Sequence, residues 1–261
     1  MNSYDKRVLD LSLKAGSILL ECGAEISRVE ETIRRIGKYF GVFSTSPFIL
    51  SNGVFLTAEN EFRQMYAKVR HIPLSTVQLS KVDAVNRLSR EIEEGRYTLE
   101  EAEARLEEIC HMPGKRELTR ILASGIGAAC FCYVAGGRLM DCLASFGAGF
   151  VLYVFLIALG HREKHTSKLL VNLVGAFLAT GVGMFFYHLG IGKQYGLIVV
   201  GAIMPLLPGV SFVNSIRDFA NGDYMSGTIR LIDTLMVTFG IAMGVGAFFI
   251  LYGKMGGVLV L

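Results

Sequence analysis

Residues 204–230 read MPLLPGVSFVNSIRDFANGDYMSGTIR, and this stretch says more about the fold than any other. Its first half is the end of an uncharged run, residues 194–216, that is long enough to cross a lipid bilayer. Pro205, Pro208 and Gly209 interrupt that run, because a proline inside a helix removes a backbone hydrogen bond and clashes with the preceding turn. In lipid such a break persists only where protein or a water-filled cavity satisfies the freed carbonyls. The stretch therefore predicts either a transport site at a broken helix or a kinked span that ends in a polar loop.

The second half of the chain contains five runs with almost no charge. They cover residues 121–137, 142–160, 169–192, 194–216 and 231–253. A helix needs about 20 apolar residues to cross a bilayer, and buried helices of a soluble protein would carry charged faces between turns. We therefore predict an α-helical integral membrane protein with five transmembrane helices in residues 117–261, preceded by a cytoplasmic α/β domain in residues 1–116.

The distribution of basic residues predicts the orientation of these spans. If the front half is cytoplasmic, eight Lys/Arg flank the spans on the inside and three flank them on the outside. The inside set is Lys115, Arg116, Arg120, Arg162, Lys164, Lys168, Arg217 and Arg230, and the outside set is Arg138, Lys193 and Lys254. Because cytoplasmic loops carry an excess of Lys and Arg, we expect the N-terminus inside and the C-terminus outside a bacterial inner membrane. The first residues show no apolar signal core, so no cleaved secretion signal is expected.

Composition argues against several other classes of protein. Residues 1–116 hold 17 Lys/Arg and 17 Asp/Glu, a balance that lacks the basic patch of a nucleic-acid-binding face. The five cysteines have neither paired C-x-x-C spacing nor a histidine cluster, so neither a metal site nor a disulfide framework is indicated. No phosphate loop, H-E-x-x-H motif or nucleophile elbow occurs. We expect no cofactor and no enzymatic activity.

The front half shows the periodicities of a small folded domain. Apolar residues recur at helical spacing over residues 4–22 and 25–40, and Gly23 between them suits a helix C-terminus. Strands are expected at residues 46–50 and 54–57 around an Asn52-Gly53 turn, with a third at residues 62–69. Ser75-x-x-Gln78 and Thr98-x-x-Glu101 are typical capping boxes and predict helices over residues 76–94 and 99–110.

The polar residues around the break are the candidate site. Asn214, Asp218 and Arg230 follow it, and Asp233 lies three residues into the last span, where an ionisable group usually faces the bundle interior. Arg230 could clamp a substrate carboxylate bidentately, and Asp218 or Asp233 could pair with it or carry a coupling proton. The alternative is structural: Arg230 and Asp233, three residues apart on one helix, could simply pair. We therefore predict a substrate path formed by Pro205, Pro208, Gly209, Asn214, Asp218, Arg230 and Asp233.

Nearly the whole chain resembles the larger subunit of the threonine/serine exporter family, including related bacterial pairs proposed to export dicarboxylates such as succinate. The likeness rests on residues 23–30, GAEISRVE, and on Pro208-Gly209, Asn214, Asp218, Gly222-Asp223, Gly227 and Arg230. It implies a cytoplasmic α/β domain, five spans and secondary transport of small polar metabolites outward. The longest members carry a second membrane half, so the resemblance also implies a smaller membrane subunit as partner, with a homo-oligomer as the alternative.

A second class of function stays open from the sequence. A membrane-anchored scaffold or sensor, whose cytoplasmic module binds a partner, would show the same division into a polar front half and apolar spans. An anchor needs neither a broken fourth span nor Asp233, and both features therefore favour transport.

Overall fold

The computed structural model describes residues 3–42, 45–59, 65–72, 77–162 and 167–256, and it is mostly helical. The chain divides into two compact units. The first comprises Met1–Gly114 and Val210–Leu231, and the second comprises Lys115–Gly209 and Ile232–Leu261. The sequence suggested a single boundary after residue 116; the structure groups residues 210–231 with the front of the chain.

Four helices and a small sheet form the front of the first unit. The helices are α1 Ser3–Glu21, α2 Ile26–Tyr39, α3 Leu79–Glu93 and α4 Leu99–Cys110. Their apolar faces form one core, in which Leu9, Leu19, Ile33, Val85 and Leu106 are completely or almost completely buried. Burial of such side chains supplies about 1.5–3 kcal/mol each, and the helical periodicity of the sequence identifies them.

The sheet is smaller than an α/β domain suggests. Strands β1 Thr45–Leu50, β2 Gly53–Glu59 and β3 Met65–His71 pair antiparallel in the order β1-β2-β3. The predicted hairpin is confirmed with a shift of one residue in its turn. Leu50 pairs with Gly53, so the two turn residues are Ser51 and Asn52, and Gly53 already belongs to β2.

One of the two predicted capping boxes is confirmed. The Thr98 side chain accepts a hydrogen bond from the Glu101 N–H, and the Glu101 carboxylate accepts one from the Thr98 N–H at 2.8 Å. The other helix starts three residues later than predicted, at Leu79, with Gln78 as its N-cap and no side-chain cap. Ser75 of the predicted box lies outside the described residues, as do Phe62 of the predicted third strand and Lys164 of the predicted inside flank.

The second unit contains the apolar helices. They are α5 Glu117–Val134, α6 Leu139–Arg162, α7 Lys168–His188 and α8 Tyr195–Ile203, followed by a 3-10 helix, Met204–Leu206. Helix α9 Gly209–Ala220 and helix α10 Tyr224–Lys254 complete the chain's described elements. Within the described residues, four helices are long and apolar enough to cross a membrane: α5, α6, α7 and α10. A fifth span results if Tyr195–Leu206 and Gly209–Ala220, a bent pair, are taken together.

Small residues let the apolar helices approach each other closely. A Cβ built on Gly244 would clash with the carbonyl oxygen of Leu173 in α7, and one on Gly240 would lie 3.0 Å from the carbonyl oxygen of Leu169. The Gly-x-x-x-Gly pair of α10 is therefore used for packing against α7 inside this chain, as in many membrane bundles.

Candidate functional site

The break in the fourth apolar run lies at Leu207 and Pro208. Pro205 occupies the first turn of the 3-10 helix, where its missing N–H costs no helical hydrogen bond. Leu207 is extended, with φ −66° and ψ 130°, as expected for a residue before a proline. Helix α9 then starts at Gly209, whose N–H donates to the Leu207 carbonyl at 2.9 Å. The two prolines thus end one helix and allow the next to begin.

A tight helical hairpin follows the break. Gly222 has φ +86°, and the Asp223 N–H donates to the Asp218 carbonyl at 2.9 Å, which closes the C-terminus of α9. Gly227 on α10 faces the Phe219 ring, which a Cβ at that position would approach to 3.0 Å. These two glycines, with Asp223 between them, set the spacing of α9 and the first turns of α10.

Arg230 and Asp218 form a buried ion pair across this hairpin. Arg230 Nε lies 3.3 Å from Asp218 Oδ2, with 6% and 2% of the two side chains exposed. Asp218 Oδ2 accepts no hydrogen bond from any described residue. Removing two charges from water is costly, and a pair this deeply buried is weak evidence for stability alone.

Three polar side chains of the hairpin contact the turn between α1 and α2. Asn214 Nδ2 donates to the Gly23 carbonyl at 3.0 Å, and Arg230 Nη2 donates to the Ala24 carbonyl at 3.1 Å. Arg217 forms an ion pair with Glu25. All of these residues belong to the first unit. The structure therefore brings Asn214, Asp218 and Arg230 together, as the sequence prediction requires, and adds the α1–α2 turn to them.

The other predicted site residues belong to the second unit. Asp233 lies 3.6 Å from Lys168 Nζ, so its observed partner is a basic residue at the start of α7. Pro205, Pro208 and Gly209 form the break described above. The predicted structural pairing of Arg230 with Asp233 is replaced by two observed pairs, Arg230 with Asp218 and Lys168 with Asp233.

Asp141 is a buried acidic residue that is not among the predicted site residues. Its carboxylate accepts backbone hydrogen bonds from Arg138 at 2.9 Å, Lys193 at 2.6 Å and Gln194 at 3.0 Å. It therefore caps the N-terminus of α6, and its hydrogen bonds to the Lys193 and Gln194 N–H groups hold the α7–α8 loop against that end of the helix. Asp141 lies three residues after Arg138, at a position where an acidic residue is typical of a helix start, and this pattern could have identified the cap. The sequence gives no sign that Lys193 and Gln194 would also donate to Asp141.

The described residues contain no group of three or more His, Cys, Asp or Glu side chains that could hold a metal ion. The chemistry available at the hairpin is ionic and hydrogen-bonding: a guanidinium, a carboxylate and a primary amide. These groups can bind a small polar molecule through its own charges and hydrogen-bonding atoms.

Comparison with known proteins identifies the family of the chain as a whole. The sequence model of threonine/serine exporters, ThrE, matches residues 10–252. The "Threonine/serine exporter" of Corynebacterium glutamicum is 29% identical over 249 residues, which cover 92% of this chain and 50% of that protein. The "Probable succinate transporter subunit YjjP" of Klebsiella aerogenes is 25% identical over 97% of both chains. The chain thus spans about half the length of the first relative and nearly all of the second. No solved structure matches it.

Proposed function

The chain belongs to the threonine/serine exporter family, and from this premise we propose that it is a subunit of a secondary transporter that exports small polar metabolites. The family is one of membrane exporters, and the apolar helices make this a multi-pass membrane protein. The finer proposal concerns the substrate, which we place among threonine- or serine-type amino acids, with dicarboxylates such as succinate as the alternative. The relatives' names supply both candidates.

The buried pair of Arg230 and Asp218 is the observation that carries this proposal. An amino acid at neutral pH has one carboxylate and one ammonium group, and these are complementary to a guanidinium and a carboxylate. Asp218 Oδ2 accepts no hydrogen bond from the residues that the structure describes, and it can therefore accept one from such an ammonium group. A dicarboxylate would bring a second negative charge towards Asp218, and like charges in a buried site repel. The pair therefore supports a zwitterionic substrate over a dianionic one.

The helix break and Asp233 have further proposed roles in transport. Broken helices expose backbone groups in transporters, which supports a role for Pro205, Pro208 and Gly209. If Asp233 carries a coupling proton, Asp233→Asn abolishes the dependence of export on the proton gradient while the protein still accumulates. The Lys168–Asp233 pair gives the alternative, in which Asp233 only joins two helix ends.

A second membrane subunit is part of the proposal. The Klebsiella relative is named a transporter subunit, and the Corynebacterium exporter is about twice as long as the region it shares with this chain. We propose that this chain works with a smaller membrane protein that supplies the rest of the transporter. A homo-oligomer is the alternative, and purified single chain that exports at the full rate from liposomes would favour it.

Efflux from preloaded cells tests the function directly. Cells lacking their own exporters are loaded with labelled threonine, serine or succinate, and efflux is followed with the chain alone, with a co-expressed small membrane subunit and with neither. We expect efflux of threonine or serine only when both proteins are present. Succinate efflux without amino-acid efflux would overturn the zwitterion argument. No efflux of any of the three would overturn the exporter proposal and favour a scaffold or sensor.

A further inference from the structure

The turn at residues 22–25 is closed by backbone hydrogen bonds to the last turn of α1, and the Gln78 N–H donates to its Cys22 carbonyl at 3.2 Å. Gly23 has φ +83°, and its N–H donates to the Leu20 carbonyl at 3.1 Å. The Ala24 N–H donates to the Leu19 carbonyl at 3.0 Å. This is a Schellman-type ending of α1, which leaves the next carbonyls of the chain without helical partners.

Side chains of the hairpin satisfy those carbonyls. Asn214 and Arg230 donate to the carbonyls of Gly23 and Ala24, two consecutive residues. Oxygens at a helix C-terminus carry partial negative charge, and Glu25 adds a full negative charge that pairs with Arg217. The turn therefore presents an anionic surface to the hairpin.

A substrate carboxylate would require the same donors. A bidentate contact with Arg230 uses neighbouring N–H groups of the guanidinium, and Nη2 already donates to Ala24. The amide of Asn214, the third polar group of the proposed site, donates to Gly23. The turn thus occupies hydrogen-bonding groups that a bound carboxylate needs.

We propose that residues 22–25 form a gate: an internal ligand that occupies the Asn214–Arg230 site when it is empty and leaves when a substrate carboxylate binds. This inference rests on the proposed function. The Glu25–Arg217 pair contributes little to holding the gate in place, because it is solvent-accessible, with 25% and 55% of the two side chains exposed, and exposed ion pairs contribute little stability. Release of the turn frees Arg230 Nη2 and the Asn214 amide at the same time.

Locking the turn in place tests the gate. Glu25→Cys and Arg217→Cys are introduced together, in a background that retains the buried Cys22 of the turn, has the other four native cysteines replaced and exports like the wild type. Oxidation should join the two sulfurs with loss of two protons and two electrons to an added oxidant such as diamide. We expect export to fall at least tenfold on oxidation and to return on reduction. The two single-cysteine variants are the matched controls, and oxidation should leave their rates unchanged.

Charge reversal gives a test that does not depend on cysteines. Glu25→Arg places a positive charge against Arg217, so the turn should leave its site and substrate should run down its own gradient several times faster. Combining Glu25→Arg with Arg217→Glu restores an ion pair of reversed polarity, and downhill flux should return towards the wild-type rate. This rescue separates gating from simple damage to the fold.

Failure of the gate can be told apart from failure of the proposed function. If the wild type exports but the oxidised double-cysteine variant exports as fast as the reduced one, the turn is a permanent structural contact and the gate is wrong. Flux that is equal in wild type, Glu25→Arg and the double reversal would also overturn it. If the wild type, with its partner subunit, exports none of threonine, serine and succinate, the proposed function is wrong and the gate falls with it.

Discussion

Arg230 donates a hydrogen bond of 3.1 Å to the backbone carbonyl of Ala24, a residue 206 positions earlier in the chain. The same guanidinium lies 3.3 Å from the carboxylate of Asp218. One side chain therefore holds the end of α1 and the α9–α10 hairpin in one arrangement.

Arg230→Lys should impair export while the protein accumulates normally. Lysine keeps the positive charge but cannot donate from a planar fork to two partners at once, so we expect a loss on the order of tenfold in export rate. Arg120→Lys is the matched control, because Arg120 is exposed on α5 and contacts Tyr153. Labelled efflux and immunoblots of the membrane fraction provide the measurement. Equal export by both variants would contradict a substrate-binding role for Arg230.

Single cysteines at Lys115 and Lys193 should react on opposite sides of the membrane. Both lysines are exposed, and the bias of basic residues places the first inside and the second outside. In intact cells a membrane-impermeant maleimide should label Lys193→Cys within minutes and label Lys115→Cys only after permeabilisation. A background without native cysteines is required. Labelling of both positions in intact cells would show that the orientation is wrong.

Gly244→Ala should destabilise the helix bundle, whereas Gly246→Ala should not. A methyl group at Gly244 clashes with the Leu173 carbonyl, and overpacking typically costs about 1–3 kcal/mol in free energy of unfolding. A Cβ at Gly246 meets none of the described residues within 4 Å outside its own stretch of helix, and alanine at that position gains helix propensity. Thermal unfolding of the detergent-solubilised chain measures the difference. Equal melting temperatures would show that α10 does not pack on α7 through Gly244.

Asp141→Ala should loosen the α7–α8 loop. It removes three backbone hydrogen bonds to a charged acceptor, and a hydrogen bond to a charged group contributes about 1.5–3 kcal/mol to the free energy of unfolding. Gln194→Ala is the control, because it removes an exposed side chain and leaves the backbone N–H that donates to Asp141. Amide hydrogen exchange should rise at residues 193–194 in the first variant alone. Unchanged exchange would exclude the capping role.

Asp10 should make the stability of the first unit depend on pH. Burial on its own would raise the pKa of Asp10, but hydrogen bonds from Lys68 at 2.5 Å and Tyr66 at 2.7 Å outweigh it and lower this pKa. A lowered pKa contributes stability that is present above the unfolded value, about 3.9, and is lost as the pH falls through the folded value.

Asp10→Asn should therefore lower the free energy of unfolding by about 0.5 kcal/mol at pH 7. The effect is small because half of the Asp10 side chain is exposed to solvent, which screens its charge. The difference from the wild type should shrink below about pH 4. Asp83→Asn, on the exposed side of α3, is the control. Amide hydrogen exchange in β3, followed as a function of pH, measures the stability of both variants and of the wild type. A difference that grows as the pH falls would contradict the assignment.

The sequence by itself determined the elements and the class of protein. The spacing of apolar residues predicts α1 and α2, and the change of that spacing around Asn52-Gly53 predicts the β1–β2 hairpin, because each element must bury one face. Long uncharged runs gave the apolar helices, since a bilayer requires about 20 such residues in succession. Thr98 and Glu101 gave a helix start, because a capping box is local chemistry. The prolines gave the break, because the restriction on the preceding residue is also local.

Only the tertiary structure decided which of these residues meet. That Arg230 pairs with Asp218 and not with Asp233, three residues away on its own helix, depends on how α9 folds back on α10 at Gly222. That Arg230 also donates to Ala24 depends on the placement of α1, and no local pattern around either residue encodes it. Periodicity and capping act over a few residues, whereas a buried charge finds its partner through the packing of whole helices.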